Sequence, residues 1–549
     1  MTAMVPSILP PLLLIGPLAV ALFLLTLPWF RESLPEAFAT DRDSVALLER
    51  IHLGSIGYVF LLSIAALIQV LSNGAISAFG DWLFVDALGA VFMMLIGVVG
   101  LMTGLYSIAY IRHDLESGAI DAGKVRIYYG FFSLFLFTML LAVTANNIIM
   151  MWAAIEATTL GSAFLVGLYG QKSSLEAAWK YVIICTVGVA FGLYGTVLVF
   201  SNAADVLADP HQAVLWTALV GHAAELDPML VKLAFVFALI GFGTKAGIFP
   251  MHAWLPDAHS EAPSPVSGLL SGVLLKCALL IVIRFYVITV GTVGTGFPQM
   301  LLLTLGLLSV GVSSLLFFVQ QDLKRKLAYS SIENVGLIVV ALGVGGPLGI
   351  AAALLHAINH SVTKALFFCS AGNVLMKYGT RDLRAVKGVL RVAPATGLLM
   401  MGCALALAGF PPFNIFVSEF MVFMAGLNEG YGWIMALCAL FLCITIAGLV
   451  KIVADSVLGK SPETMAKGDV GWKALAPLGV LAVLVLTLGF AVPQPLSTLV
   501  QQATAVVMNG DSRPVVAAPW QKYDRQTYDT ARAGGQLVTG SLSQTEISK

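Results

Sequence analysis

Several lysine, glutamate and histidine residues fall within long apolar runs, where an ionisable group is costly and usually tied to function. The densest set is LLHAINHSVTKALFF, in which His356, His360 and Lys364 recur every four residues. At about 100° per residue the three share one face of a helix. Histidines so placed titrate near neutral pH and suit proton relay. Two other readings stay open. Histidines at i and i+4 bind zinc, although lysine is a poor third ligand and no HExxH glutamate is present; histidines also serve as structural donors to carbonyls.

A second constellation lies in GFGTKAGIFPMHAWLPDAHSEAPSP, where an apolar helix reaches Lys245 and then meets Pro250, Pro256, Pro263 and Pro265. Proline breaks a helix, and hydrocarbon cannot satisfy the backbone groups so freed, so this segment belongs in a packed interior beside a charge. Broken membrane helices mark ion sites in transporters. Glu156, in MWAAIEATTL, is the only carboxylate of its run and is read as the partner of Lys245. Burial favours loss of an ammonium proton and a nearby carboxylate opposes it, so moving such a carboxylate would load or unload a proton without redox chemistry; a satisfied polar group is the plainer reading. Lys180 and Lys276 are expected to continue the path. Glu419 follows a second break at Pro411-Pro412 and is expected to be the terminal exchange site. Glu333 either joins the path or neutralises the basic cluster Lys324–Lys326 at the interface.

The elements that must position these groups are apolar helices. Of 549 residues, 58% are hydrophobic and 11% charged, against about 25% charged in soluble domains. The expectation is an all-α polytopic membrane protein. Runs long enough to cross a core of about 30 Å fall at 7–29, 54–72, 82–111, 127–145, 147–169, 176–201, 229–258, 264–290, 299–319, 326–344, 348–376, 396–426, 431–457 and 472–492, fourteen in all. Basic residues from Arg31 to Lys473 gather in every second loop, and the alternate connections have no Lys or Arg. This predicts a bacterial inner-membrane protein with that side cytoplasmic and both termini outside. Lys232 and Arg284, near helix ends, are expected to snorkel to the interface.

Charges also recur between two halves. Lys245 and Glu419 are 174 residues apart, Lys276 and Lys451 175, and Glu156 and Glu333 177, with an odd number of helices between each pair. This suggests inverted repeats, each with a broken helix, with chance matching of a few charges as the alternative. The six cysteines lie in apolar segments without CxxC spacing and read as small buried residues.

The stretches KAGIFPMHAWLPDAHSEAPSPVSGLLSGVLLK, DLKRKLAYSSIENVG, HAINHSVTKALFF and GFPPFNIFVSEF resemble the antiporter-like subunits of complex I and related membrane hydrogenases, which also resemble subunits of multi-protein sodium/proton antiporters. The resemblance covers roughly residues 80–460. The glutamate of NIFVSEF looks like the chain M type, and the whole is similar to the hydrogenase-4 component F type. The resemblance implies fourteen helices with two inverted five-helix bundles. That gives N-terminal helices over 1–126, bundles over 127–290 and 299–457, a last helix within 458–492 and a polar tail over 493–549. It also implies an ion pair of Glu156 and Lys245, a connecting Lys276, a central relay of His356, His360 and Lys364, and an outer exchange site at Glu419.

The expected function is proton translocation driven by a redox partner. No GxGxxG, P-loop or cluster-type cysteine run occurs, so no cofactor, metal or redox site is expected within the chain. The expected partners are the bilayer, other membrane subunits, and a soluble module with iron–sulfur clusters and a nickel–iron hydrogenase-like subunit; nucleic acid is not expected. Two alternatives stay open: a sodium/proton antiporter subunit, and a membrane subunit of an inorganic-carbon-uptake complex.

Overall fold

The computed structural model describes residues 4–26, 41–207, 209–461, 465–510 and 516; Arg31 and the tail residues Arg513, Lys522, Arg525 and Arg532 lie outside them. Helices α1 (Leu9–Thr26), α2 (Asp41–Asn73), α3 (Ala87–Glu116), α4 (Ala122–Thr144), α5 (Ile148–Val166) and α6 (Lys172–Val206) come first. After a short α7 (Trp216–Gly221) come α8 (Pro228–Ala246), α9 (Trp254–Glu261), α10 (Ser264–Leu269) and α11 (Leu275–Val293). The remainder are α12 (Gly296–Val319), α13 (Leu323–Val344), α14 (Gly346–Tyr378), α15 (Val389–Val392), α16 (Pro394–Leu407), α17 (Asn414–Asn428), α18 (Gly432–Lys451), α19 (Trp472–Phe490) and α20 (Gln494–Met508).

Among the described residues, 12 helical segments are long and apolar enough to cross a membrane. The other two expected runs are helical as well. One is α14, enriched in polar groups; the other divides into α16 and α17, each too short to cross alone. The chain is an integral multi-pass membrane protein.

Local chemistry explains the boundaries. Asn147 caps α5 by accepting from the amides of Ile149 and Met150, which makes the tight Asn146-Asn147 turn workable. Asp227 caps α8 ahead of Pro228, a residue suited to a first helical turn. Small residues let helices touch. A Cβ on Gly241 of α8 would lie 2.2 Å from the Gly192 amide nitrogen of α6, and one on Gly336 of α13 would lie 2.9 Å from that of Val310 on α12. Lipid offers no hydrophobic drive between helices, so such backbone approach is what binds them.

The layers follow. Helix α14 is buried from Gly349 to Val374, and the segment through α10 and α11 is enclosed with it. Around this core, α1, α6 and α18 turn apolar residues such as Ile15, Ile183 and Leu440 outward, as lipid contact requires. Two features depart from the expected all-helical chain with a polar tail. A small sheet joins Val5–Pro6, Ile76–Ala78 and Leu83–Val85 in that order, where the run at 82–111 was expected to start as helix. Beyond residue 493, α20 buries Leu499, Val500, Ala503 and Val507 and packs on α3 and α14.

Candidate functional site: a buried row of ionisable groups

The first break lies between α8 and α9. Gly247 ends α8 in the left-handed conformation (φ 81°), and the Trp254 indole donates to the Thr244 carbonyl at 2.9 Å, returning a partner to a backbone group that the break frees. This leaves Lys245 in the last turn of α8, wholly buried. Its ammonium donates to Thr159 Oγ1 at 2.7 Å and Tyr181 OH at 2.6 Å, and lies 4.5 Å from the Tyr181 ring centroid. Tyr181 OH meets Ser162 Oγ at 2.6 Å.

Glu156 does not pair with Lys245. Its Oε1 accepts from Thr186 Oγ1 at 2.8 Å, while Oε2 is buried without a protein partner among the described residues. Thr159, one turn further along α5, takes the place expected for the carboxylate. Hydroxyl groups, not a carboxylate, contact the Lys245 ammonium.

Lys180 also departs from expectation. Its side chain is 49% exposed and binds Glu176 at 2.6 Å and Asp257 at 3.4 Å, and Asp257 also binds Arg325. Because α6 starts at Lys172, Lys180 stands about two turns from its end, in a network at the rim. Arg284 differs in the opposite sense. It is buried (2% exposed), holds Asp86 at 2.6 and 2.7 Å, and lies 4.0 Å from the Trp216 ring centroid instead of snorkelling. Cys443 is exposed, unlike the other five cysteines; its face of α18 points away from the core.

Lys276 belongs to the central row. The turn Leu270–Leu274 before it is π-helical, and its ammonium donates to the Ser271 carbonyl and to His360 Nδ1, both at 2.6 Å. While Lys276 is charged it only donates, and His360 then accepts at Nδ1 and carries its proton on Nε2 when neutral. That nitrogen has no protein partner among the described residues. One turn away, the His356 ring stands 6.4 Å from that of His360; its Nε2 meets Asn334 Oδ1 at 3.1 Å and its Nδ1 meets Ser418 Oγ at 3.0 Å. Lys364 donates to the Leu327 carbonyl at 2.9 Å and to Ser330 Oγ. Glu333 is buried and accepts from Ser314 Oγ at 3.2 Å, which places it in the core and not at the interface.

Glu419 follows Ser418 on α17, just past the second break. One of its carboxylate oxygens lies 2.2 Å from where a Cβ on Gly409 would stand, at φ +65°. Both breaks contain a cis X–Pro bond, Phe249-Pro250 and Pro411-Pro412. Lys276, His360, His356 and Ser418 thus form a polar row across α11, α14 and α17, hydrogen-bonded at each end, with the two rings 6.4 Å apart between them. No group of three or more His, Cys, Asp or Glu able to hold a metal occurs among the described residues.

The structure also presents polar groups that the sequence reading passed over. His259 on α9 is fully buried, stacked on Phe368 at 4.9 Å, with neither ring nitrogen partnered among the described residues. Its position among prolines in the broken helix was the available signal. Tyr169 donates to Asp114 at 2.6 Å and its oxygen meets Tyr110 OH at 3.4 Å, and Tyr106 donates to Asn373 at 2.9 Å; nothing in local spacing marks these tyrosines.

Residues 145–445 match the family described as "NADH:quinone oxidoreductase/Mrp antiporter, TM". The chain is 40% identical over 379 residues to a hydrogenase-4 component F homolog of Methylacidiphilum infernorum, covering 69% of this chain and 79% of that one. It is 31% identical over 402 residues to a Na(+)/H(+) antiporter subunit A1 of Staphylococcus aureus, covering 68% of this chain and 48% of that protein, about half its length. A chain of respiratory complex I from Thermus thermophilus superposes with a TM-score of 0.67 at 24% identity, covering 86% of this chain and 97% of that one. The protein therefore belongs to the NADH:quinone oxidoreductase/Mrp antiporter membrane-subunit family. Its relatives are subunits of multi-subunit membrane complexes.

Proposed function

We infer that this chain is a proton-translocating subunit of a redox-driven membrane complex, and that its own residues move protons and transfer no electrons. The observation that carries the reading is the buried row from Lys276 through His360 and His356 to Ser418, beside Glu419. A proton passed from Lys276 to His360 Nδ1 is matched by release from Nε2 to a water bridging toward His356, whose ring stands 6.4 Å away, and His360 must then shift its proton back from Nδ1 to Nε2 before the next passage. Lys245, Thr159, Tyr181 and Glu156 form the loading group of the first half. Glu333 and Lys364 set the charge of the second half, and Glu419 exchanges with the outer face. The basic rim faces the cytoplasm, and the driving partner is a module with iron–sulfur clusters of the hydrogenase or NADH dehydrogenase type.

The test is purification of the complex from mildly solubilised membranes, with identification of every chain recovered. Recovery of a nickel–iron hydrogenase-like subunit and iron–sulfur proteins is the expected result. Lys245→Ala and Glu419→Gln then abolish proton movement and leave the redox module active. The similarity to a sodium/proton antiporter subunit supports a second reading, exchange of sodium for protons. Recovery of small antiporter subunits alone, with sodium-dependent proton movement, would establish that reading and overturn the first.

A further inference from the structure

Lys451 follows Lys276 by 175 residues, yet it lies outside the buried row. It ends α18, and the π-helical turn Ile452–Val457 that follows swings it beside Lys326, in the first turn of α13, and Lys387, in the loop after α14. Together they line a cavity of 180 Å³, many times the roughly 10–15 Å³ that one water needs.

The chemistry of its wall is one-sided. Lys326 is 2% exposed, yet among the described residues its ammonium reaches only the carbonyls of Phe318 and Gln320, both at 3.4 Å, and the Phe317 ring at 4.8 Å. No carboxylate pairs with Lys326, Lys387 or Lys451 among the described residues. Arg384, also in the wall, is already bound to Asp382 at 2.7 Å, and Asp455 is the single acid lining the space among the described residues. Ser456 is 1% exposed, and its hydroxyl, in the same wall, lacks a partner among the described residues. Beside this site Phe318, Val319, Val450 and Leu458 are exposed apolar side chains at the ends of membrane helices. Three ammonium groups and a hydroxyl call for an anion with several acceptor oxygens, and the apolar flank calls for a hydrocarbon portion. Basic recesses between membrane helices take phospholipid headgroups in this way.

We propose that this cavity binds the phosphate of an anionic phospholipid headgroup, held by Lys326, Lys387 and Lys451 with Ser456 as a further donor. The acyl chains lie along the exposed ends of α12 and α18. The site is independent of the proton row and of the redox or sodium reading.

The test is native mass spectrometry of the purified, delipidated full chain titrated with phosphatidylglycerol or phosphatidylcholine. Wild type retains phosphatidylglycerol in preference to phosphatidylcholine, and millimolar inorganic phosphate does not displace it. Lys326→Gln with Lys451→Gln weakens retention roughly thirtyfold, about fivefold for each lysine removed. Lys326→Arg with Lys451→Arg retains the lipid. Lys451→Gln alone, at an exposed residue, gives the fivefold loss even if the buried change impairs folding. Equal retention of both lipids, or unchanged retention in Lys451→Gln, overturns the site. Displacement by inorganic phosphate overturns the lipid assignment.

Discussion

Replacing Lys276 with methionine separates function from folding. The substitution removes two hydrogen bonds of 2.6 Å, to the Ser271 carbonyl and to His360 Nδ1, each worth about 1.5–3 kcal/mol as a bond from a charged donor. It also removes a fully buried ammonium, whose desolvation costs several kcal/mol. The two effects offset, so thermal unfolding of the purified complex is expected to shift little. Proton movement is not offset, because His360 loses its donor at Nδ1. A positioned acid or base contributes roughly 10²–10⁴-fold to a proton-transfer step, and in a serial row that loss passes to the whole. The assay is acidification of vesicles containing the reconstituted complex, read with a pH-sensitive dye while the partner turns over. Lys276→Arg sharpens the test. It keeps the charge and the donor, yet a guanidinium does not release its proton, so pumping should fail there too. Wild-type pumping in either variant, in a folded and active complex, refutes a relay through Lys276.

Other outcomes follow from the same geometry. Gly409→Ala places a methyl 2.2 Å from a Glu419 oxygen at a backbone φ of +65°; pumping should fall, while assembly, followed by size-exclusion chromatography, persists. Asp86→Asn leaves the Arg284 charge buried without its counter-charge, and loss of one partner of a buried pair costs about 3–5 kcal/mol, visible as a lowered melting temperature and not rescued by salt. At the basic rim, the Arg384 guanidinium bonds Asp382 and holds its carboxyl at about 2, below the usual range. A depressed carboxyl stabilises the fold above its unfolded value of about 4 and loses that effect as pH falls toward 2. The melting difference between wild type and Arg384→Ala should therefore be small, full at pH 6 and diminished by pH 3.

The sequence made the helical runs, the two breaks and the shared face of His356, His360 and Lys364 legible, because each is written in local spacing: apolar length, proline, and a repeat of four. Partners across helices are not local. Glu156 and Lys245 were paired by charge and by the family resemblance, yet the choice between a carboxylate and Thr159 depends on how α5 rotates against α8. Lys180 and Arg284 were misjudged for a related reason. Distance from a helix end does not reveal whether a charge faces the rim, as Lys180 does, or a waiting acid such as Asp86. The buried face of α20 was hidden by a composition that averages its apolar stripe with polar neighbours. His259 and the Tyr169–Tyr110 contact involve residues whose types are common in packed cores, so only their placement distinguishes them.

Fastenings at the first break come from the other half of the chain. Pro263 and Pro265 remove two backbone donors at the α9–α10 corner, where the Ser260 and Ala262 carbonyls accept from Arg381 and Lys324. Arg381 also grips Glu261 and Asp322, and Ser309 Oγ accepts from the Phe249 amide at 3.0 Å. The broken helix of one half is thus moored to α12, α13 and the loop after α14. A displacement of that corner pulls directly on the charged rim and on the base of α13, the helix that carries Glu333 and Asn334. The two parts of the chain share this mechanical linkage in addition to the buried polar row, and strain can cross between them through it.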